Sequence, residues 1–243
     1  MGVLNLVEKV RQQAFEQPEK TAYYFLGKGT SYGELEQSVA RFAAALEDLG
    51  VKKGDHIAFL LGNTPHFIIS LYASMRIGAV AIPINPIYTA DEISYIIQNG
   101  DVKVVIALDL LLPLVEAGVH RFPQVEQYII CETTEDIGEK YAALSDGAKE
   151  KTKLFSQVLA TTARTTDPVE IASDDTAIIL YTSGTTGHPK GAMLTHNNLF
   201  SNARDIGDYL KMTSEDRIVA TLPVFHVFAL TVVVNSPLTR GAT

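Results

Sequence analysis

The chain has 243 residues, 47% of them hydrophobic and 20% charged, a balance typical of a globular protein with a sizeable core. Its formal net charge of −8 argues against a general affinity for nucleic-acid phosphates. The sequence has no run of about 18 apolar residues that could span a membrane. Its single cysteine, Cys131, excludes an internal disulfide and favours a reducing compartment, so we predict a cytoplasmic protein.

The first fifty residues predict two helices on either side of a short hairpin. Apolar residues recur at helical spacing near the start, at Val3, Val7, Val10 and Ala14. The stretches "TAYYFL" and "TSY" flank Gly27-Lys28-Gly29 and predict the hairpin. Ser31 and Glu34 form a capping-box pattern, which predicts that a second helix begins there and ends at Gly50.

Between residues 56 and 131, apolar strands alternate with helical stretches. The predicted strands are "HIAFLL" (56–61), "VAIPI" (80–84), "KVVIAL" (103–108) and "EQYIIC" (126–131), the last with Cys131 as a buried thiol. Thr64-Pro65 predicts the start of one intervening helix, and the capping-box pair Thr89 and Glu92 predicts the start of another. This alternation predicts an α/β fold with doubly wound, mainly parallel sheets and helices on both faces.

The second part of the chain predicts a new lobe. Residues 133–170 are polar with little periodicity, so we expect a surface segment there and a boundary between a first α/β lobe (1–170) and a second (171–243). In the second lobe we expect a separate strand system from "DDTAIILYTS", a strand at "RIVATLP" (217–223) and a buried helix at "HVFALTVVVNSPL". The sequence stops at "LTRGAT", where another strand is expected. An incomplete lobe would expose an apolar face, so we expect self-association.

The stretch "YTSGTTGHPKG" (181–191) has the composition of a phosphate-binding loop. Glycines let several backbone N–H groups converge on one anion. Hydroxyl donors come from Thr182, Ser183, Thr185 and Thr186. Lys190 adds a mobile positive charge, and Pro189 restricts the backbone in front of it. Because few ligands other than a polyphosphate need so many donors in one turn, we favour that ligand over a surface loop without a ligand.

Two familiar nucleotide-binding patterns do not fit this loop. The pattern G-x-x-x-x-G-K-[ST] needs Gly before the lysine and a hydroxyl after it, whereas Pro189 precedes Lys190 and Gly191 follows. The pattern G-x-G-x-x-G also fails, because Gly184, Gly187 and Gly191 are spaced three and four residues apart. A dinucleotide-dependent dehydrogenase is therefore not favoured.

The extended stretch "YTSGTTGHPKGAMLTHNNL" resembles the phosphate-binding signature of the adenylate-forming (AMP-binding) superfamily, which includes acyl-CoA synthetases, aryl-CoA ligases, luciferases and peptide-synthetase adenylation domains. The stretches "SMRIGAVAIPINPIYTADEISYII" and "LPVFHVFAL" are similar to other blocks of that superfamily, in the same order. Within it, "LPVFHVFALTVVVNSPLTRGAT" looks most like fatty acyl-CoA synthetases. The resemblance implies two Rossmann-like lobes of an N-terminal domain.

The resemblance also implies a reaction and the residues that serve it. A fatty acid, ATP with Mg²⁺, and coenzyme A would give acyl-CoA, AMP and pyrophosphate through an acyl-adenylate. The ATP phosphates would contact Thr182, Ser183, Gly184, Thr185, Thr186, Gly187 and Lys190. His226 would lie near the acyl carboxylate, and Phe225 and Phe228 would line the acyl pocket. No metal ligand is expected within these 243 residues.

Several alternatives remain open at this stage. The resemblance places the adenine-, ribose- and Mg²⁺-binding residues beyond residue 243, so we expect the isolated chain to be inactive. The acid could instead be an aryl or another carboxylic acid. His226 could be a packing residue, and the chain could be a non-catalytic nucleotide-binding or interaction module. Transient contact with a membrane surface is compatible with a long-chain acid.

Overall fold

The computed structural model describes residues 5–134, 136–182 and 189–243. The strands of these residues are β1 (Thr21–Phe25), β2 (Lys28–Ser31), β3 (His56–Leu60), β4 (Val80–Pro83), β5 (Val102–Leu108), β6 (Gln127–Cys131), β7 (Thr152–Leu154), β8 (Thr176–Thr182) and β9 (Lys190–Thr195). β1 and β2 form the hairpin expected near the N-terminus. The other strands form one sheet of seven, in the order β7-β6-β5-β3-β4-β8-β9.

Helices connect most of the strands. They are α1 (Leu6–Glu16), α2 (Tyr32–Asp48), α3 (Pro65–Arg76), α4 (Ala90–Asn99), α5 (Leu112–Arg121), α6 (Ile137–Ala142), α7 (Asp146–Lys151), α8 (Phe155–Thr161), α9 (His196–Tyr209), α10 (Val227–Ala229) and α11 (Ser236–Arg240), with a 3₁₀ turn at Asp109–Leu111 and a π-helix at Leu230–Asn235. Among the described residues, no helix has the length and hydropathy needed to cross a bilayer.

Local capping signals place several helix starts correctly. Both predicted capping boxes are present with reciprocal hydrogen bonds, Ser31 with Glu34 at α2 and Thr89 with Glu92 at α4. At α3 the expectation holds only in part. Pro65 occupies the first turn as predicted, but the side chain of Thr64 makes no capping hydrogen bond. The fixed φ of proline, which suits a first helical turn, therefore sets this start.

The sheet has helices on both faces, as the sequence predicts. All neighbouring strands from β7 to β8 run parallel, and only β8 and β9 are antiparallel. Side chains of β3 alternate between two cores: Ile57 and Phe59 pack with α1, α2, α3, α8 and α9, while Ala58 and Leu60 pack with α4, α5 and α7. The described residues thus form the doubly wound, mainly parallel architecture expected from the alternating pattern.

The strands near the lobe boundary are arranged differently from the expectation. β8 hydrogen-bonds parallel to β4, with Ile178 opposite Ala81, so β8 and β9 extend the first sheet and do not begin a separate one. β7 was not expected, because it has only three residues and lies within a polar segment. It pairs with β6, whose edge supplies the hydrogen-bond partners. The division of the chain at residue 170 stays a prediction.

The strand expected at 217–223 is absent from the structure, and that prediction was wrong. No strand among the described residues pairs with this segment, and a segment without a pairing partner cannot form a ladder. Val219 is 78% exposed and Leu222 is 48% exposed. The buried helix expected after it is present as α10, the π-helix and α11 in direct succession.

Candidate functional site

The predicted phosphate-binding stretch lies in the β8–β9 hairpin. Thr182 ends β8, Lys190 begins β9, and the two residues are paired in the antiparallel ladder. The predicted contacts Ser183, Gly184, Thr185, Thr186 and Gly187, together with His188, lie outside the described residues. Because β8 runs parallel to β4, the hairpin connection leaves the carboxyl edge of the parallel sheet, which is the edge where open α/β sheets bind their ligands.

Both described members of the predicted phosphate site are accessible to a ligand. Thr182 and Lys190 are exposed. The Lys190 ammonium makes no hydrogen bond or ion pair with another described residue, so its charge is available to an anion. Their role in phosphate binding stays a prediction, now placed at a defined edge of the sheet.

A cavity of about 130 Å³ lies at this same edge, between the carboxyl ends of β4 and β8. Ile84 and Asn85 line it after β4, Tyr181 lines it near the end of β8, and Phe225 and His226 lie on a third side. Phe225 also packs against the hydrophobic core. The structure therefore brings two of the three residues predicted around the acyl carboxylate next to the strand that leads into the loop.

Phe228, the third of these residues, is placed differently. It is 56% exposed and is not part of the cavity lining. It follows Val227, the residue of α10 that does line the cavity. Its assignment to an acyl pocket stays a prediction.

His226 occupies the N-cap of α10, and its ring is accessible. Nδ1 accepts a hydrogen bond from the backbone N–H of Phe228 at 3.5 Å. A ring nitrogen that accepts must carry a lone pair, so in this contact the ring proton lies on Nε2. Nε2–H is then a donor that can contact a carboxylate oxygen bound in the cavity.

Comparison with known proteins assigns the chain. The family described as "AMP-binding enzyme" matches residues 10–243. The chain belongs to this family. The match confirms the resemblance to adenylate-forming enzymes carried by the 181–199 signature.

Two curated relatives of this chain are named for different acids. Long-chain-fatty-acid–CoA ligase FadD13 of Mycobacterium tuberculosis is 33% identical over 241 residues, which cover 98% of this chain and 44% of the relative. 4-coumarate–CoA ligase 3 of Arabidopsis thaliana is 33% identical over 229 residues, 89% of this chain and 37% of the relative. The chain thus spans less than half the length of these relatives.

A solved structure shares the fold. The crystal structure of the N-terminal domain of FACL13 from Mycobacterium tuberculosis matches with a TM-score of 0.83 at 30% identity, over 99% of this chain and 56% of that one. The architecture described above is therefore that of an acyl-CoA ligase N-terminal domain.

Gly191 has a packing role that the sequence did not reveal. A Cβ at Gly191 would lie 2.7 Å from Cγ2 of Ile179 and 3.2 Å from the ring of Tyr181. Both contacts are closer than normal van der Waals separation. Gly191 therefore permits close approach of β9 to side chains of β8, whereas the sequence analysis assigned the glycines of this stretch to an anion-binding turn.

Asn85 and Tyr181 are site residues that the sequence reasoning missed. The Tyr181 hydroxyl donates to Asn99 Oδ1 at 2.8 Å, and burial raises the pKa of this phenol. The Asn85 side chain accepts from the backbone N–H of Ile87. The sequence contains a signal for both residues, because each is a polar residue at or just after the carboxyl end of a predicted parallel strand.

The buried thiol was predicted correctly, and the described residues offer no metal-binding cluster. Cys131 ends β6 fully buried, and burial raises the pKa of its thiol. Among the described residues, no three His, Cys, Asp or Glu side chains are close enough together to hold a metal ion.

Proposed function

We propose that this chain forms the ATP-phosphate side of the active site of an AMP-forming acid–CoA ligase whose acid is a fatty acid. One observation carries the proposal: the β8–β9 hairpin, with Lys190 at its base, and the cavity lined by Phe225 and His226 lie at the same carboxyl edge of the sheet. A triphosphate at the hairpin and a carboxylate in the cavity would then be neighbours.

The chemistry proceeds in two displacements. A carboxylate oxygen of the acid forms a bond to the α-phosphorus of ATP, and the bond from that phosphorus to pyrophosphate breaks. The thiolate of coenzyme A then bonds to the acyl carbon, and AMP leaves. Because the carboxylate is already a nucleophile, the protein contributes alignment and charge neutralisation.

The residues of this chain contribute to those two tasks. Lys190 and the hairpin N–H groups neutralise the phosphates, whose charge Mg²⁺ also offsets when it is bound with ATP. His226 donates from Nε2 to a carboxylate oxygen and so orients the acid. Phe225 and Ile84 present apolar surface beside that position.

The choice of a fatty acid rests on these apolar side chains and on the names of relatives. FadD13 and a ligase from Bacillus subtilis, 30% identical over 249 residues, are both named long-chain-fatty-acid–CoA ligases. An aryl acid is the second candidate, because the 4-coumarate ligase is equally similar in sequence and because Tyr88 and Tyr181 line the same cavity.

Equilibrium binding and isotope exchange test the proposal. We expect ATP to bind the chain and Lys190→Met to weaken that binding, because the proposal assigns Lys190 a contact with the phosphates. We expect no ATP–pyrophosphate exchange by the chain alone with a fatty acid or an aryl acid. Exchange by the chain alone would contradict the proposed division of the active site. Absence of ATP binding would instead favour an interaction module.

A further inference from the structure

Asn63 makes an unusual set of contacts beside the candidate site. It is the central residue of a three-residue turn after β3, closed by a hydrogen bond of 2.8 Å from the Thr64 N–H to Gly62 O. From there its side-chain amide reaches a segment about 160 residues away in sequence. Asn63 therefore connects the carboxyl edge of the sheet to the segment that precedes His226.

The contacts of Asn63 fall on alternate residues of the segment 220–224. Nδ2 of Asn63 donates to the carbonyl oxygens of Ala220 and Leu222, each at 2.9 Å, and Oδ1 accepts from the Val224 N–H at 2.9 Å. The segment is irregular, with a bend at Leu222 and a hydrogen bond from the Thr221 N–H to Val219 O. The side-chain amide of Asn63 therefore supplies the long-range hydrogen bonds that hold residues 220–224.

This arrangement explains how a segment without a strand neighbour has a defined position. A further long-range hydrogen bond holds the start of the segment: the Ile218 N–H donates to Thr243 O at 2.8 Å. After the Asn63 contacts the chain turns, because the His226 N–H donates to Pro223 O at 3.0 Å. His226 then caps α10.

We propose that Asn63 is the positioning residue that fixes His226 at the candidate site. The importance of this role for catalysis rests on the proposed function, in which His226 donates a hydrogen bond to the acyl carboxylate. Asn63 itself contacts no substrate. It acts by holding residues 220–224, so that the following turn places the His226 ring beside the end of β8 with Nδ1 bound to the Phe228 N–H.

Two measurements without any ligand test the proposal. Amide hydrogen exchange reports the order of residues 217–228, and the ¹⁵N shifts of the two His226 ring nitrogens report the tautomer, with the signals assigned by comparison with His226→Gln. Asn63→Ala removes all three hydrogen bonds. The matched control is Asn197→Ala, because Asn197 is exposed and its side chain makes no hydrogen bond among the described residues.

In Asn63→Ala we expect amide exchange in 217–228 to be faster by about tenfold or more, with β3 to β6 unchanged. We also expect the two ¹⁵N shifts of His226 to move toward each other as the tautomers mix. Unchanged exchange and tautomer in a folded Asn63→Ala protein would overturn the proposal, as would equal changes in the control.

A second variant covers the case in which Asn63→Ala fails to fold. Asn63→Asp keeps the acceptor for the Val224 N–H but turns a carboxylate toward the two carbonyl oxygens, so exchange should increase at 220–222 first. A separate measurement, with a bound ligand, shows whether the proposed function itself is wrong. If a non-hydrolysable fatty acyl-adenylate analogue leaves the His226 signals of the unaltered protein unchanged, the acyl site is wrong, whereas the positional role of Asn63 stands on the ligand-free data.

Discussion

Lys190 lies directly opposite Thr182 in the antiparallel ladder of β8 and β9. The two residues are the last paired positions before the hairpin connection, so the strands fix where that connection leaves the sheet. The Lys190 ammonium is exposed and without an ionic partner among the described residues. A positive charge is thus held at the base of the stretch that the sequence assigns to phosphate binding.

Removing this charge should weaken nucleotide binding without affecting the fold. We expect Lys190→Met to weaken ATP binding by about tenfold or more, because a charge-assisted contact to phosphate contributes roughly 1.5–3 kcal/mol. The thermal midpoint should stay within a degree or two, since the side chain is exposed and unpaired. Isothermal titration calorimetry and thermal unfolding measure the two effects.

Lys52→Met is the matched control for this experiment. Lys52 is also exposed, but it precedes β3 at the amino edge of the sheet, far from the hairpin. ATP affinity should be unchanged in this variant. Equal losses in both variants would mean that net charge, and not the hairpin, determines binding.

Gly191→Ala should destabilise the hairpin. The new methyl group would lie 2.7 Å from Ile179 Cγ2, and a β-branched side chain within a strand has little freedom to move away. We expect a loss of about 1–3 kcal/mol in the free energy of unfolding by urea. Gly147→Ala is the control, since a Cβ there meets nothing within 4 Å and alanine favours the helix. An unchanged free energy of unfolding in Gly191→Ala would show that β9 shifts easily to make room for the methyl group.

Short-range patterns predicted the parts of the fold that depend on neighbouring residues. Ser31 with Glu34, and Thr89 with Glu92, form caps within four residues, so the sequence alone contains everything that determines them. The candidate site was partly predictable for the same reason: Thr182 and Lys190 belong to one short stretch. The resemblance to the family predicted His226 near the acid, which stays a prediction, and the structure shows this residue lining the cavity.

Long-range partners could not be read from those patterns. Residues 217–223 alternate like a strand, but only the fold shows that no described strand lies beside them and that Asn63 binds them instead. Similarly, Ile178 belongs to an apolar run that fits any sheet, and its pairing with Ala81 depends on the free edge of β4. Pairing across about a hundred residues leaves no local signal.

Stability should fall in mild acid because of His196. This residue begins α9, is 2% exposed, and has no hydrogen-bond partner for either ring nitrogen among the described residues. Burial lowers its pKa from 6.5 to about 4, with Asp175 opposing the shift and Lys53 adding to it. Between these pH values the unfolded chain binds a proton that the folded chain does not. The free energy of unfolding therefore decreases as pH falls from 6.5 to 4, by up to about 3 kcal/mol.

His196→Phe should flatten this dependence, because phenylalanine occupies a similar volume and does not titrate. Urea unfolding at pH 7, 6, 5 and 4 measures the slope. Part of the slope should remain, since burial also lowers the pKa of His66. The exposed His120 provides the control: His120→Phe should keep the full slope. An unchanged slope in His196→Phe would show that His196 is solvated in the folded chain.

Asp109 should be a strong stability determinant outside the candidate site. Its buried carboxylate accepts backbone N–H bonds from Thr133 at 3.0 Å and Thr134 at 2.8 Å, and both threonine hydroxyls also donate to it. Burial alone would raise the pKa of Asp109, but these hydrogen bonds outweigh it and lower the pKa to about 2. The folded state therefore retains this contribution until the pH falls from 3.8 toward 2.

Asp109→Ala leaves these donors of Thr133 and Thr134 unpaired, so we expect a loss of about 2–4 kcal/mol in urea unfolding at pH 7. Asp174→Ala is the control, because Asp174 is exposed and makes no side-chain hydrogen bond among the described residues. A loss below about 0.5 kcal/mol for Asp109→Ala would show that water replaces the carboxylate at little cost.

The exposed segment 217–223 should drive self-association of the chain. Val219 and Leu222 are exposed, no strand of the described residues pairs with the segment, and a mainly apolar cavity of about 530 Å³ lies beside Val219 and Ala220. Exposed apolar side chains beside an apolar cavity favour contact with a second copy. Light scattering should therefore give a mass above the 26.5 kDa of one chain, increasing with concentration.

Val219→Lys with Leu222→Lys should restore the monomer, because two buried ammonium groups would oppose the contact. Leu110→Lys, at another exposed leucine, should leave the mass unchanged. A monomer at high concentration before any substitution would contradict the prediction.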